Sequence, residues 1–102
     1  MSFVSTVRVR VNPGAGEQLE QLFQEHLLPA RRTLKQQGDV LSMVLVRGSE
    51  PEDEYELITH WASKEAHDRN ENSPAEAAVL RAAASLVAAP PSELSGTRVV
   101  EL

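Results

Sequence analysis

Apolar and polar positions alternate at the start of the chain, with Phe3, Ser5, Val7, Val9 and Val11 set against Val4, Thr6, Arg8 and Arg10. A period of two rich in β-branched residues predicts a strand, and Asn12-Pro13-Gly14 ends it. From about Gly16 to Gln37 the period lengthens: Leu19, Leu22, Phe23, Leu27, Ala30 and Leu34 recur every three or four residues, the spacing of an amphipathic helix. Pro29 is expected to kink or split that helix. Gly38 stands where a left-handed C-terminal cap belongs.

The run Val40 to Val46 predicts a second strand, and Tyr55 to Trp61 a third, joined as a hairpin by the turn from Gly48 to Glu54. Ser63 is a natural N-cap for a short helical segment carrying Glu65, Ala66 and His67. Ser73-Pro74-Ala75-Glu76 is a capping box with proline at the first helical position. The helix it opens carries Val79, Ala83, Leu86 and Val87 on one side and ends before Pro90-Pro91. Thr97 to Leu102 reads as a last strand.

The order β-α-β-β-α-β is that of the ferredoxin-like α+β fold, an antiparallel sheet with its helices on one face. The second strand is apolar on both sides, with Val40, Val44 and Val46 opposite Leu41, Met43 and Leu45. A sheet apolar on its uncovered face would be an aggregation hazard as a monomer. The economical cover is a second copy of the same sheet, so the chain is expected to be a homodimer.

Composition narrows the function. The 102 residues make one domain, 1–102. No apolar run approaches the roughly 18 residues of a membrane span, and residues 1–5 lack the pattern of a secretory signal, so the expected compartment is the cytoplasm. The chain has no cysteine, which removes disulfides, thiolate metal sites, iron–sulfur clusters and cysteine nucleophiles. A net charge of −5, with acids crowded into Glu50, Glu52, Asp53, Glu54 and Glu56, provides no basic stripe for nucleic acid. That acidic run reads as a solvated hairpin tip. His26, His60 and His67 are isolated from one another, so no metal pair is expected, and no Gly-x-Ser-x-Gly elbow is present.

The stretch from Tyr55 to His67, ending its strand in Trp61 and turning through Ser63, resembles the antibiotic-biosynthesis-monooxygenase family, as do Ser73-Pro74-Ala75, Leu28-Pro29-Ala30 and the stop at Gly38. The resemblance runs from about residue 3 to residue 100. It implies a dimeric α+β barrel. In some members it implies oxygenation of polyketide or quinol-type aromatics without a cofactor, and in others haem degradation. Trp61 matches the pocket tryptophan of the polyketide-oxidising members, and Arg81 falls where they carry a functional arginine on the second main helix. His67 takes the place of their pocket tyrosine, and Leu57 that of their pocket asparagine. In the haem-degrading branch the tryptophan position falls near Asn70 and the iron-ligating histidine near Leu80, so neither haem nor flavin is expected.

The resulting expectation is a cofactor-independent monooxygenase, or a relative of one, acting on a hydroxylated aromatic small molecule. Trp61 would pack against the substrate and donate its indole N–H, His67 would transfer a proton, and Arg81 would stabilise an anion. Phe23, His26 and Leu57 would line the binding site, His26 lying close enough to the apolar stripe to face a pocket. Trp61 also reads as a core side chain closing its strand, and Arg81 as a surface helix residue. The alternative function is a non-catalytic small-molecule-binding or stress-associated dimer. Leu57 favours it, because an apolar side chain there withholds a hydrogen bond that catalysis could use.

Overall fold

The computed structural model describes residues 2–71 and 73–100. Its sheet runs β1 (Phe3–Arg10), β2 (Val40–Arg47), β3 (Glu54–Trp61) and β4 (Ser92–Thr97) along the chain, in the spatial order β2-β3-β1-β4. Every neighbouring pair is antiparallel. The helices are α1 (Gly16–Leu22), α2 (Leu28–Gln36), α3 (Lys64–Asn70) and α4 (Pro74–Ala83). This is the expected ferredoxin-like α+β architecture.

The two central strands show why one face is the core. On β3, Tyr55, Leu57, Thr59 and Trp61 are buried, while the residues between them are half-buried. Phe3, Ser5, Val7 and Val9 of β1 stand opposite Trp61, Thr59, Leu57 and Tyr55 respectively. The sheet face under the helices is therefore polar near Ser5 and Thr59 and apolar from Val7 and Leu57 onward. Leu19, Val11, Tyr55 and Trp61 are among the most deeply buried side chains, and fully burying an aliphatic side chain contributes about 1.5–3 kcal/mol.

Pro29 does not end its helix. One π-helical turn, Phe23–Leu27, links α1 to α2, with the Leu28 N–H donating to the Phe23 carbonyl five residues back. The wider turn lies immediately before the residue that lacks an N–H, and it shifts the phase of the helix. Leu27 and Arg31 thereby face the core and His26 faces solvent. At the far end Gly38 takes a φ of 86°. Its N–H donates to the Lys35 carbonyl, and the Asp39 N–H donates to the Leu34 carbonyl, a Schellman cap as expected.

Three expectations need correction. A bulge between Val40 and Ser42 turns Val40 to the helix side with Met43 and Leu45, leaving Ser42, Val44 and Val46 on the open face, because one extra residue inverts the alternation. Helix α4 stops at Ala83, and Leu86 and Val87 pack on the core from the turn beyond it. Val87 bridges to Val11, which returns the chain to the edge of β1 early. The last strand is consequently Ser92–Thr97 rather than the more apolar segment after it, and Val99 and Val100 are exposed. Leu102, the end of the expected strand, lies outside the described residues.

Candidate functional site

Between the sheet and the helices lies a cavity of about 370 Å³. Val7, Leu27, Leu57, Val79 and Ala83 form its apolar stretch, and Ser5, Arg31, Trp61, His67, Glu76 and Glu93 its polar end. The sheet register accounts for this division, since Ser5 and Trp61 belong to the same end of the β1–β3 pair.

Trp61 is 2% exposed and donates its indole N–H to Ser5 Oγ at 2.9 Å. Sequence alone assigns that N–H to the substrate; in the fold Ser5, one same-face step along from the Trp61–Phe3 pair, accepts it instead. His67, 6% exposed, lies edge-on to Trp61 with ring centroids 5.5 Å apart, and 5.1 Å from Phe3. Ser63 sets up this placement by accepting the Ala66 N–H at 3.1 Å and so starting α3, whose inward residues are Ala66 and His67.

Both nitrogens of His67 face carboxylates: Nδ1 lies 2.9 Å from Asp68 Oδ1, and Nε2 lies 3.2 Å from Glu93 Oε1. Burial is the largest single influence and lowers its pKa, but the hydrogen bonds to Asp68 and Glu93 and the charges of Glu93 and Glu71 together outweigh it, and the pKa is raised above 6.5. The two carboxylates thus shift the balance toward the imidazolium. Asp68 is correspondingly held below the ordinary carboxylate range by its hydrogen bonds to Lys64 and His67.

The cation that meets the Trp61 ring is Arg31. Its guanidinium carbon lies 4.9 Å from the ring centre, within the reach of a cation–π contact. Nη1 donates to Thr59 Oγ1 and Nη2 to Glu76 Oε1, each at 2.6 Å. Glu76 reads in sequence as the reciprocal member of a capping box. Ser73 does accept the Glu76 N–H at 3.3 Å, but the carboxylate turns to Arg31, and the Ser73 N–H donates to the Asn70 carbonyl.

Of the expected site residues, Trp61, His67, Phe23 and Leu57 line one cavity. Arg81 does not. It is exposed on α4, where Val79 and Ala83 take the inward positions. His26 is also off the cavity; its side chain is 60% exposed and lies 3.9 Å from Glu25. Arg31, Glu76, Thr59, Ser5 and Glu93 belong to the site without being singled out by the sequence. Arg31 does carry a signal, because it sits four residues after Leu27 and three before Leu34, inside the apolar stripe.

The group His67, Asp68 and Glu71 brings one ligand atom from each residue within 4.8 Å of one another. Asp68 and Glu71 are exposed, however, and both His67 nitrogens are already directed at carboxylates. At the haem-ligand position Leu80 presents an aliphatic side chain to the cavity, which offers iron no ligand. No helix of the described residues is long and apolar enough to cross a membrane.

Solved structures share this fold at low sequence identity. A Mycobacterium tuberculosis protein, Rv0793, superposes with a TM-score of 0.82 at 19% identity, covering 99% of this chain and 98% of that one. SnoaB, a cofactor-independent oxygenase from Streptomyces nogalater, gives a TM-score of 0.82 at 20% identity, over 99% and 96% of the two chains. PA3566 from Pseudomonas aeruginosa gives 0.78 at 17% identity, over 97% and 95%. Among curated proteins no sequence matches. The sequence model for antibiotic biosynthesis monooxygenases matches residues 2–82, four-fifths of the chain, and the protein therefore belongs to the antibiotic biosynthesis monooxygenase family.

Proposed function

We infer that this protein is a cofactor-independent monooxygenase acting on a hydroxylated aromatic or quinol-type molecule. The observation that carries this reading is the union, in one cavity, of an apolar stretch along Val7, Leu27, Leu57 and Val79 with a polar end holding Arg31 and the His67–Glu93 pair. A flat aromatic ring fits the first, and an ionisable ring oxygen the second.

In the proposed reaction Glu93 accepts the substrate proton, leaving an electron-rich anion whose charge Arg31 and the His67 imidazolium stabilise. The anion gives one electron to O2. The resulting radical and superoxide combine at a ring carbon, and the peroxide takes a proton from His67. Loss of water leaves a carbonyl, so one oxygen atom enters the product and the other leaves as water. The substrate supplies the electrons, and no flavin or metal enters the balance. His67 keeps a proton-transfer role as a donor, and the cationic role moves from Arg81 to Arg31.

The protein acts as a homodimer in this reading. Val44, Ile58, Thr6 and Leu94 form a row across all four strands on the open face, and Val44 and Leu94 are 50% and 77% exposed. A second copy of the sheet is the partner that such a face suits.

Oxygen uptake with a panel of anthrones and hydroquinones tests the activity. Uptake that Glu93→Gln reduces about a hundredfold, in the range for loss of a general base, supports it. A second reading is favoured by one observation: His67, held between two carboxylates, is poorly suited to abstract a proton. A binding dimer would take up aromatic ligands with no oxygen consumption, and that result would replace the enzymatic reading.

A further inference from the structure

The bond from Trp61 to Ser5 leaves something over. A serine hydroxyl has one donor and two acceptor sites. Ser5 Oγ uses an acceptor site for the Trp61 N–H, and among the described residues its own hydrogen meets no protein acceptor. The cross-strand neighbour Thr59 faces the same side, but its hydroxyl oxygen receives Arg31 Nη1 and no hydrogen bond joins it to Ser5. Ser5 is 5% exposed and lines the cavity. A buried donor without a partner is costly, and most such groups find one. The acceptor that Ser5 lacks belongs in the cavity.

We propose that Ser5 determines which ligands the cavity selects, by donating its hydroxyl hydrogen to a ring-attached oxygen, a carbonyl or the phenolate that its enol form becomes on losing a proton. The inference rests on the reading of the cavity as an aromatic site and names the ligand feature recognised there. The indole of Trp61 acts through Ser5: its N–H holds the hydroxyl oxygen and polarises the O–H toward the ligand. Trp61 is thus a positioning residue, and Ser5 makes the contact. A ketone or phenolate oxygen can accept that bond, whereas a hydrocarbon of the same shape leaves the donor unpaired. Selectivity arises from that difference, since a site built to hydrogen-bond a ligand group discriminates against the analogue without it.

The test is calorimetric titration of the native protein and Ser5→Ala with 1-tetralone, which has one acceptor oxygen, and with tetralin, which has none. The expected result is that Ser5→Ala weakens 1-tetralone by about three- to tenfold, the effect of one neutral hydrogen bond, and leaves tetralin unchanged. Ser5→Thr keeps a hydroxyl and restores the preference. If Ser5→Ala weakens both compounds equally, or neither, Ser5 serves only to pack Trp61 and the proposal is overturned. If neither compound binds the native protein, the proposal falls together with the aromatic site. If the preference behaves as expected but no anthrone or hydroquinone consumes oxygen, the Ser5 assignment stands and the oxygenase reading falls.

Discussion

The Arg31 guanidinium carbon lies 4.9 Å from the centre of the Trp61 ring, and the same group is joined to Glu76 at 2.6 Å. One side chain from α2 thus bears on the strand beneath it and on α4 across the cavity. The pair is buried, with side chains 7% and 15% exposed, so removing one partner strands a charge. Arg31→Met or Glu76→Leu alone is expected to cost about 3–5 kcal/mol, and the double variant to recover most of that loss. Urea unfolding of the three proteins checks this, and additive losses in the double variant would contradict it.

Arg81 behaves oppositely. Exposed on α4 and absent from the cavity wall, it is expected to tolerate alanine with a stability change within about 0.5 kcal/mol. Ligand affinity by calorimetry should stay the same. A clear loss of affinity would restore the role that family resemblance assigns to it.

The pH dependence follows from His67. Because its pKa in the fold is raised above 6.5, its contribution to stability is full below about 6.5, the unfolded value. That contribution is lost as pH rises through the higher folded value. Proton NMR of the imidazole should show the raised titration, and His67→Gln should flatten the dependence of the urea midpoint on pH in that window. An imidazole titrating below 6.5 would contradict the bracketing by Asp68 and Glu93.

The bulge at Val40–Ser42 makes two neighbours of β2 distinguishable. Val44 faces the open side of the sheet, whereas Leu45 packs beneath the helices with Val7 and Leu57. Val44→Asp is expected to leave a folded monomer of about the 11.2 kDa chain mass. Leu45→Asp is expected to destabilise the fold strongly, since it sets an unpaired charge in a half-buried position against the apolar core. Sedimentation and circular dichroism separate the outcomes, and a native protein that sediments as a monomer would contradict the dimer.

The elements that residues announce locally were legible in the sequence. The alternation of β1 and β3, the caps at Ser63 and Ser73 and the Gly38 stop each depend on residues a few positions apart, and the element order follows from them. What depended on distant pairing was hidden. Ser92–Thr97 has no apolar alternation, and it becomes a strand because Val87 bridges to Val11 and β1 offers it an edge. The bulge at Val40 leaves no mark in a run of apolar residues. At the site, Trp61 and His67 could be placed together because a strand end and a capped helix bring them close in sequence. Arg31 was hidden by its charge: a lone arginine in a stripe reads as solvated until Thr59 and Glu76, 28 and 45 residues away, supply partners.

The central claim is oxygenation without a cofactor, and the most direct measurement supplies isotopically labelled O2 to chelator-treated, colourless protein with a reactive anthrone and follows the label by mass spectrometry. The expected result is one labelled oxygen atom in each product molecule, in its newly formed carbonyl, and the other in water, at a rate that chelation does not alter. Bound anthrone that gains no label beyond the protein-free control would contradict the account and leave the cavity as a binding site.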